Sequence, residues 1–190
     1  MSSPVSQRGR AKPGAQARNN PPAPMLSETQ RVAVAERVLR ARVRLALSRP
    51  FLATAIMRLP VRELIDPRLC PTAATDGYHI YYNPAWVHGL TDSAMRGLLA
   101  HEVLHVVFAH ATRCGPRVHE PWNWACDFAI NGLLLEQGFK LPKGALYEKR
   151  FRGMSAERIY GELDPGKAPI GMALPTDSSR NEDGDDDPTM

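Results

Sequence analysis

Cysteine is scarce in this chain of 190 residues: Cys70, Cys114 and Cys126, with no Cys-x-x-Cys spacing among them. An odd, scattered set excludes a disulfide framework and a cysteine-based zinc knuckle, and it suits a reducing compartment. Long apolar runs are also missing, so no stretch has the length to cross a bilayer as a helix. Met1 is followed by polar and basic residues without an apolar centre, and no secretory signal is visible. No internal repeat breaks the chain into units. These absences set a soluble, cytoplasmic protein with no membrane partner as the expectation.

What is present is unevenly spread. The hydrophobic share, 43%, is ordinary for a folded domain, and the length suits one domain with tails. Up to Arg68 there are 13 Lys/Arg against 4 Asp/Glu, whereas the far end reads NEDGDDDP. The formal charge of +4 therefore averages a basic front and an acidic tail. Residues 1–26, rich in Pro, Gly, Gln and Asn, read as a disordered basic arm, and residues 165–190 as a flexible acidic tail. Between them, 27–164 is the expected domain. A basic arm can attract nucleic acid, but here the arginines read as a solvated face and nucleic acid is not the expected partner.

Within the domain, Ser27 and Gln30 form a capping box ahead of RVAVAERVLRARVRLAL, which alternates apolar and arginine-rich faces at helical period. Pro50 ends or kinks this helix, and PFLATAIMRL begins another. Prolines and an Asp-Gly pair punctuate residues 60–84, where YHIYY predicts a strand over Tyr78–Tyr82. A helix is expected from about Thr91 to Thr112, another from Pro121 to near Gly138, and a short one from Ser155 to Leu163.

The most informative stretch is GLLAHEVLHVVFAH. His101, Glu102 and His105 form H-E-x-x-H. Each helical residue advances about 100°, so positions four apart lie about 40° apart on one face. Both imidazoles can reach one zinc ion, with Glu102 beside them. Zinc takes neutral nitrogen donors, keeps a position for water and lowers that water's pKa toward neutrality, and an adjacent carboxylate can take its proton. The apolar flanks put these polar groups on a mostly buried helix, where unpaired His and Glu are costly. The bland alternative is a core helix whose histidines are satisfied by hydrogen bonds.

The other histidines fail the same test. His110, five residues beyond His105, falls on the side of Leu99, Val103 and Val106 and reads as a helix-end histidine favoured by the dipole. His119-Glu120 imitates the motif, but Pro121 follows and no histidine stands at 123. His79 and His88 receive no role.

Catalytic zinc takes three protein ligands. In the next helix Asn123, Asp127 and Asn131 recur every four residues, a polar stripe among apolar positions. A buried carboxylate there needs a partner, and Asp127 is the candidate third ligand. Its alternative is a carboxylate bonded to a backbone amide or to an arginine such as Arg113. Asn131 either orients a ligand or ties down a loop. Glu136, half a turn from Asp127, reads as exposed.

Taken together, TAATDGYHIYYNPAWV, LLAHEVLHVVFAH, WNWACDFAINGLL, FKLP and MSAERIYGEL resemble a family of HExxH zincin-like zinc metallopeptidase domains. In many bacterial proteins that domain precedes a von Willebrand A-like domain. The resemblance spans roughly residues 30–165. It implies an α+β fold, mostly helical with a small β-sheet, with Zn2+ on His101, His105 and Asp127 and Glu102 as general base. Such proteins usually continue through an acidic linker into the second domain, and this sequence stops inside a stretch of that character.

The expected activity is hydrolysis of peptide bonds in a peptide or protein substrate, which would lie along the strand around His79–Tyr82 as an added strand. Tyr81, Tyr82, His119 and Tyr147 are the candidates for stabilising the oxyanion. The alternative is a metal-stabilised protein-interaction module without catalytic activity, recruiting a protein partner through the flexible tails. Binding of nucleic acid by the N-terminal arginines is a third reading, one that predicts a steep salt dependence.

Overall fold

Ser27 and Gln30 cap each other as the capping box requires: the Gln30 backbone N–H donates to Ser27 Oγ at 3.3 Å, and the Ser27 N–H to Gln30 Oε1 at 2.9 Å. They start helix α1 (Glu28–Ser48) in a computed structural model that describes residues 26–163. The expected basic arm, apart from Leu26, and the expected acidic tail lie outside the described residues. Leu26 itself packs against the main core.

Helix α1 buries Val34, Val38, Ala41 and Leu45, one side of a 3.6-residue repeat. It stops before Pro50, whose ring opens helix α2 (Pro50–Arg58). Three arginines of α1 are not the solvated face expected of them. Arg31 pairs with Glu63 and Arg37 with Asp92. Arg42 donates to the carbonyls of Ile56, Met57 and Leu59 at 2.9, 2.8 and 3.0 Å. A guanidinium fork suits the orphan carbonyls at a helix end, so these cations stitch α1 to its neighbours.

Three short strands follow: β1 (Val61–Glu63), β2 (Ala73–Thr75) and β3 (Ile80–Tyr82), in the order β1-β3-β2. β3 lies parallel to β1 and antiparallel to β2, with Ile80 opposite Val61 and Thr75. The expected strand is present but shorter, and it is the centre of the sheet. Ile80 and Tyr82 turn inward to the core.

Asn83 then caps α3 (Pro84–His88), and Thr91 caps α4 (Asp92–Val107). Helix α4 packs against α1, α2, β2 and α6 (His119–Glu136). Its apolar residues join α1, α2 and β3 in the main core, around Leu45, Ile56, Ile80, Met95 and Val103. Each such side chain contributes about 1.5–3 kcal/mol by leaving water. On the other flank of α6, Trp124 and Phe128 pack with Leu146, Phe151 and Ile159, carried by a 3-10 turn (Lys149–Phe151) and the last helix (Ala156–Glu162). The domain is thus mostly helical α+β with a small mixed sheet, and α6 is held from both sides.

One expected helix is broken. α4 ends at Val107, Ala109 is left-handed at φ 54°, ψ 39°, and a separate turn, α5 (His110–Arg113), follows. Arg113 donates to the Phe108 carbonyl at 2.8 Å, covering the helix end. Ala109 is the one non-glycine residue with positive φ among the described residues.

Candidate metal centre

The central turns of α4 carry His101 and His105 on one face, opposite α6. Their Nε2 atoms stand 2.9 Å apart. From α6, Asp127 Oδ1 comes within 3.0 Å of His105 Nε2 and 3.4 Å of His101 Nε2. The structure thus brings together the three residues proposed from sequence, with candidate ligand atoms all within 4.8 Å of one another. Donors about 2.0–2.1 Å from a tetrahedral zinc stand about 3.3 Å apart. The triangle of 2.9, 3.0 and 3.4 Å therefore fits such an ion with little rearrangement.

The far sides of both imidazoles are also occupied. His101 Nδ1 lies 2.8 Å from Asn131 Oδ1, while Asn131 Nδ2 donates to the Leu146 carbonyl at 2.9 Å. The Leu146 carbonyl only accepts, so it fixes which end of the amide faces His101. Asn131 Oδ1 accepts the His101 Nδ1–H, so Nε2 is the nitrogen that faces Asp127: a proton there is donated to the carboxylate, and without that proton its lone pair is open to a metal. Asn131 thus does both things considered for it: it orients an imidazole and ties down the 139–146 loop.

His105 Nδ1 lies 3.2 Å from His110 Nδ1. This overturns the wheel placement of His110. Five residues along an unbroken helix would turn it about 140° away, but the left-handed Ala109 swings it back under His105. Nor does it sit at the end of α4 where the dipole would favour it: α4 stops at Val107 and His110 opens α5. Its ring is buried, and the burial, reinforced by His105 and Arg113, pushes its pKa down to about 4.

Charge is arranged around the same point. Burial by itself lowers the pKa of His101, but the Asp127 carboxylate outweighs it and raises the value to about 9. Burial raises Asp127, and hydrogen bonds from His101 and His105 outweigh that too, holding it far below the usual carboxylate range. The carboxylate draws a proton or a cation into the space between the imidazoles. Arg113, weighed as an alternative partner of Asp127, pairs instead with Glu157. Glu136 is exposed and pairs with Arg152. Glu102 is nearly buried next to the pair; that burial raises its pKa, against the lowering effect of the two histidines.

These groups line a cleft of about 850 Å³. β2 with its flanks, from Pro71 to Tyr78, and the loop from Leu141 to Leu146 both line it. The strand expected along the substrate, β3, cannot serve as an edge, because both its sides are already paired. The edge on the cleft is β2. Of the four oxyanion candidates, His119 alone lies on the cleft wall. Tyr82 is in the main core, the Tyr81 hydroxyl donates to Asp76, and Tyr147 is outside the lining. Two features escaped the sequence reading, His110 and β2. His110 needed the helix break, and β2 is three residues long, too short for a period-2 pattern.

A mostly helical α+β frame with a His-His-Asp cluster on a cleft defines a domain able to hold a divalent metal. The chain belongs to the family described as "Putative metallopeptidase domain", whose model matches residues 34–189. The family's description implies a metal and, as a class of activity, hydrolysis of peptide bonds. No curated protein and no solved structure gives a significant match.

Proposed function

We propose that the protein is a zinc-dependent metallopeptidase, with His101, His105 and Asp127 as ligands and Glu102 as general base. The observation that carries the reading is the triangle of donor atoms, 2.9–3.4 Å on a side, backed by a hydrogen-bonded Nδ1 on each imidazole. Two imidazoles and one carboxylate are a donor set typical of hydrolytic zinc, more than of calcium or magnesium, which take oxygens.

Zinc held there would supply Lewis acidity, polarising a scissile carbonyl and making a water nucleophilic at neutral pH. The chain's own residues do the rest. Glu102 takes the water's proton on a carboxylate oxygen and delivers it to the leaving amine. Its raised pKa suits a group that must hold that proton between the two steps. Asp127 and the oriented imidazoles keep the donors in place through the cycle.

The substrate lies along β2. In the β2–β3 pair, the Asn83 N–H donates to the Thr72 carbonyl at 2.7 Å, and the register sets Ala74 against Tyr81. Antiparallel alternation then turns the backbone groups of Ala73 and Thr75 outward, where an extended peptide can pair with them; the Ala73 carbonyl also takes a long bond from the Thr72 hydroxyl, at 3.5 Å. His119 is the side chain on the cleft wall suited to meet a developing oxyanion.

The test is metal content and peptide cleavage on purified protein. One zinc per chain is expected, lost or weakened in His105→Ala and in Asp127→Ala. Glu102→Gln is expected to keep the zinc and lose cleavage of a mixed peptide library by at least 100-fold, the lower range for a general base. A wild-type protein that binds zinc and cuts nothing would leave the metal-stabilised interaction module in its place.

A further inference from the structure

We propose that His110 is a positioning residue of the metal centre, its Nδ1 accepting the Nδ1–H of His105. The inference deepens the metal-binding reading above and rests on it. Two imidazole nitrogens 3.2 Å apart must share one proton, because two bare lone pairs or two N–H groups would repel. If His105 offers its Nε2 lone pair to a metal, its remaining proton sits on Nδ1, which aims at His110. His110 is then neutral, with Nδ1 bare and its own proton on Nε2.

The placement is built into the fold and is not a chance contact. Ala109 adopts φ 54°, where a residue with a Cβ loses about 1–2 kcal/mol relative to the right-handed region. Strain of that size persists when neighbours over-determine the conformation, and it clusters at functional sites. The neighbours here are visible. Trp122 Nε1 donates to the His110 carbonyl at 2.9 Å, and the His110 ring packs edge-on to Trp122 and tilted to Phe108. His110 is 4% exposed. The break in α4 has a structural result that an unbroken helix could not give: a neutral acceptor directly behind the second histidine of the motif. Asn131 plays the same part behind the first. Both imidazoles are thereby held in one tautomer and one ring orientation, each by an acceptor that adds no charge.

Groups that hold a ligand's second nitrogen typically matter by 10–100-fold in metal affinity. The experiment compares zinc affinity of the full chain, by competition with a chromophoric chelator, for wild type, His110→Leu and His110→Asn. The asparagine Oδ1 stands where the imidazole Nδ1 stood and can accept the same proton; leucine fills the space and cannot. The expected result is a loss of about 10–100-fold in His110→Leu, largely restored in His110→Asn. Both variants should lower the melting temperature of the metal-free protein to a similar extent. Two-bond proton–nitrogen spectra of the zinc-loaded wild type should show His105 protonated at Nδ1 and His110 at Nε2. That readout needs no variant and stands if His110→Leu fails to fold. Wild-type affinity in His110→Leu, or a proton on His110 Nδ1, overturns the proposal while the metal site survives. A wild type that binds no zinc overturns both.

Discussion

Gly97 stands one turn before His101 in α4, and replacing it with alanine sets two effects against each other. Helix propensity favours alanine in a helix interior by about 1 kcal/mol. Packing opposes it. A Cβ at this position would lie 2.0 Å from the Lys140 carbonyl oxygen and 3.1 Å from its carbon. Real Cβ contacts stay beyond 3.0 Å, so one backbone must retreat by about 1 Å. The Lys140 peptide has little room to do so. The Phe139 N–H donates to the Leu134 carbonyl at 3.0 Å, and the Phe139 and Leu141 side chains pack against the main core. Overpacking typically costs about 1–3 kcal/mol, occasionally more, and a backbone atom pinned on both sides belongs at the upper end. The net expectation is a loss of about 2 kcal/mol, or about 4–8 °C in melting temperature for a domain of this size.

The same substitution should also weaken the metal site. The loop that begins at Lys140 ends at Leu146, whose carbonyl orients the Asn131 amide behind His101. Thermal melts of the chelator-treated protein measure the first effect and chelator competition the second. A Gly97→Ala protein that melts at or above wild type would refute the packing argument, since propensity alone predicts a gain.

Ala73→Pro tests the substrate edge. The Ala73 N–H points away from β3, so proline there spares the sheet but removes a donor from the cleft. Peptide cleavage should fall about 10-fold, the worth of one hydrogen bond, with zinc affinity unchanged; undiminished cleavage would remove β2 from the substrate path. Metal-free protein should lose stability as pH rises. His101 is raised to about 9 from an ordinary 6.5, so its contribution is complete below 6.5 and gone above 9. Melts in excess chelator should therefore fall across that window, by an amount on the order of a few kcal/mol. A flat or rising profile between pH 6.5 and 9 would show that His101 carries no extra proton in the fold.

What the sequence makes legible follows from the range of each interaction. The helix around His101 and His105 and its successor around Asp127 could be read because both are long, periodic and capped. Asp127 could be singled out because a carboxylate in an apolar stripe needs a partner on the neighbouring helix. β1 and β2 could not be read, since three residues carry no usable alternation. Without them β3 looked like an edge, and only the pairing pattern shows it to be central. Nor does any local signal mark Gly97, whose reason lies 43 positions away in the Lys140 carbonyl. The Arg31, Arg37 and Arg42 contacts are long-range in the same sense. A helix wheel reports which face a side chain occupies, not which carbonyl waits there.

His110 marks a different limit. Counting positions around a wheel assumes that the helix continues, and every residue from Val106 to Ala111 is compatible with one. No glycine or proline warns of a break. Propensity therefore argues for continuity, and the chain departs from it at Ala109 with a penalty of about 1–2 kcal/mol. Such a departure needs a compensating gain. Burial of His110, the Trp122–carbonyl bond and the contact with His105 together supply one. The first two involve Trp122 of α6, so the break is a tertiary effect. A continuous α4 would carry His101 and His105 equally well and leave the second imidazole without support behind it. The feature least readable from local sequence is thus the one that distinguishes a pair of histidines on a helix from a pair fixed in orientation for a metal.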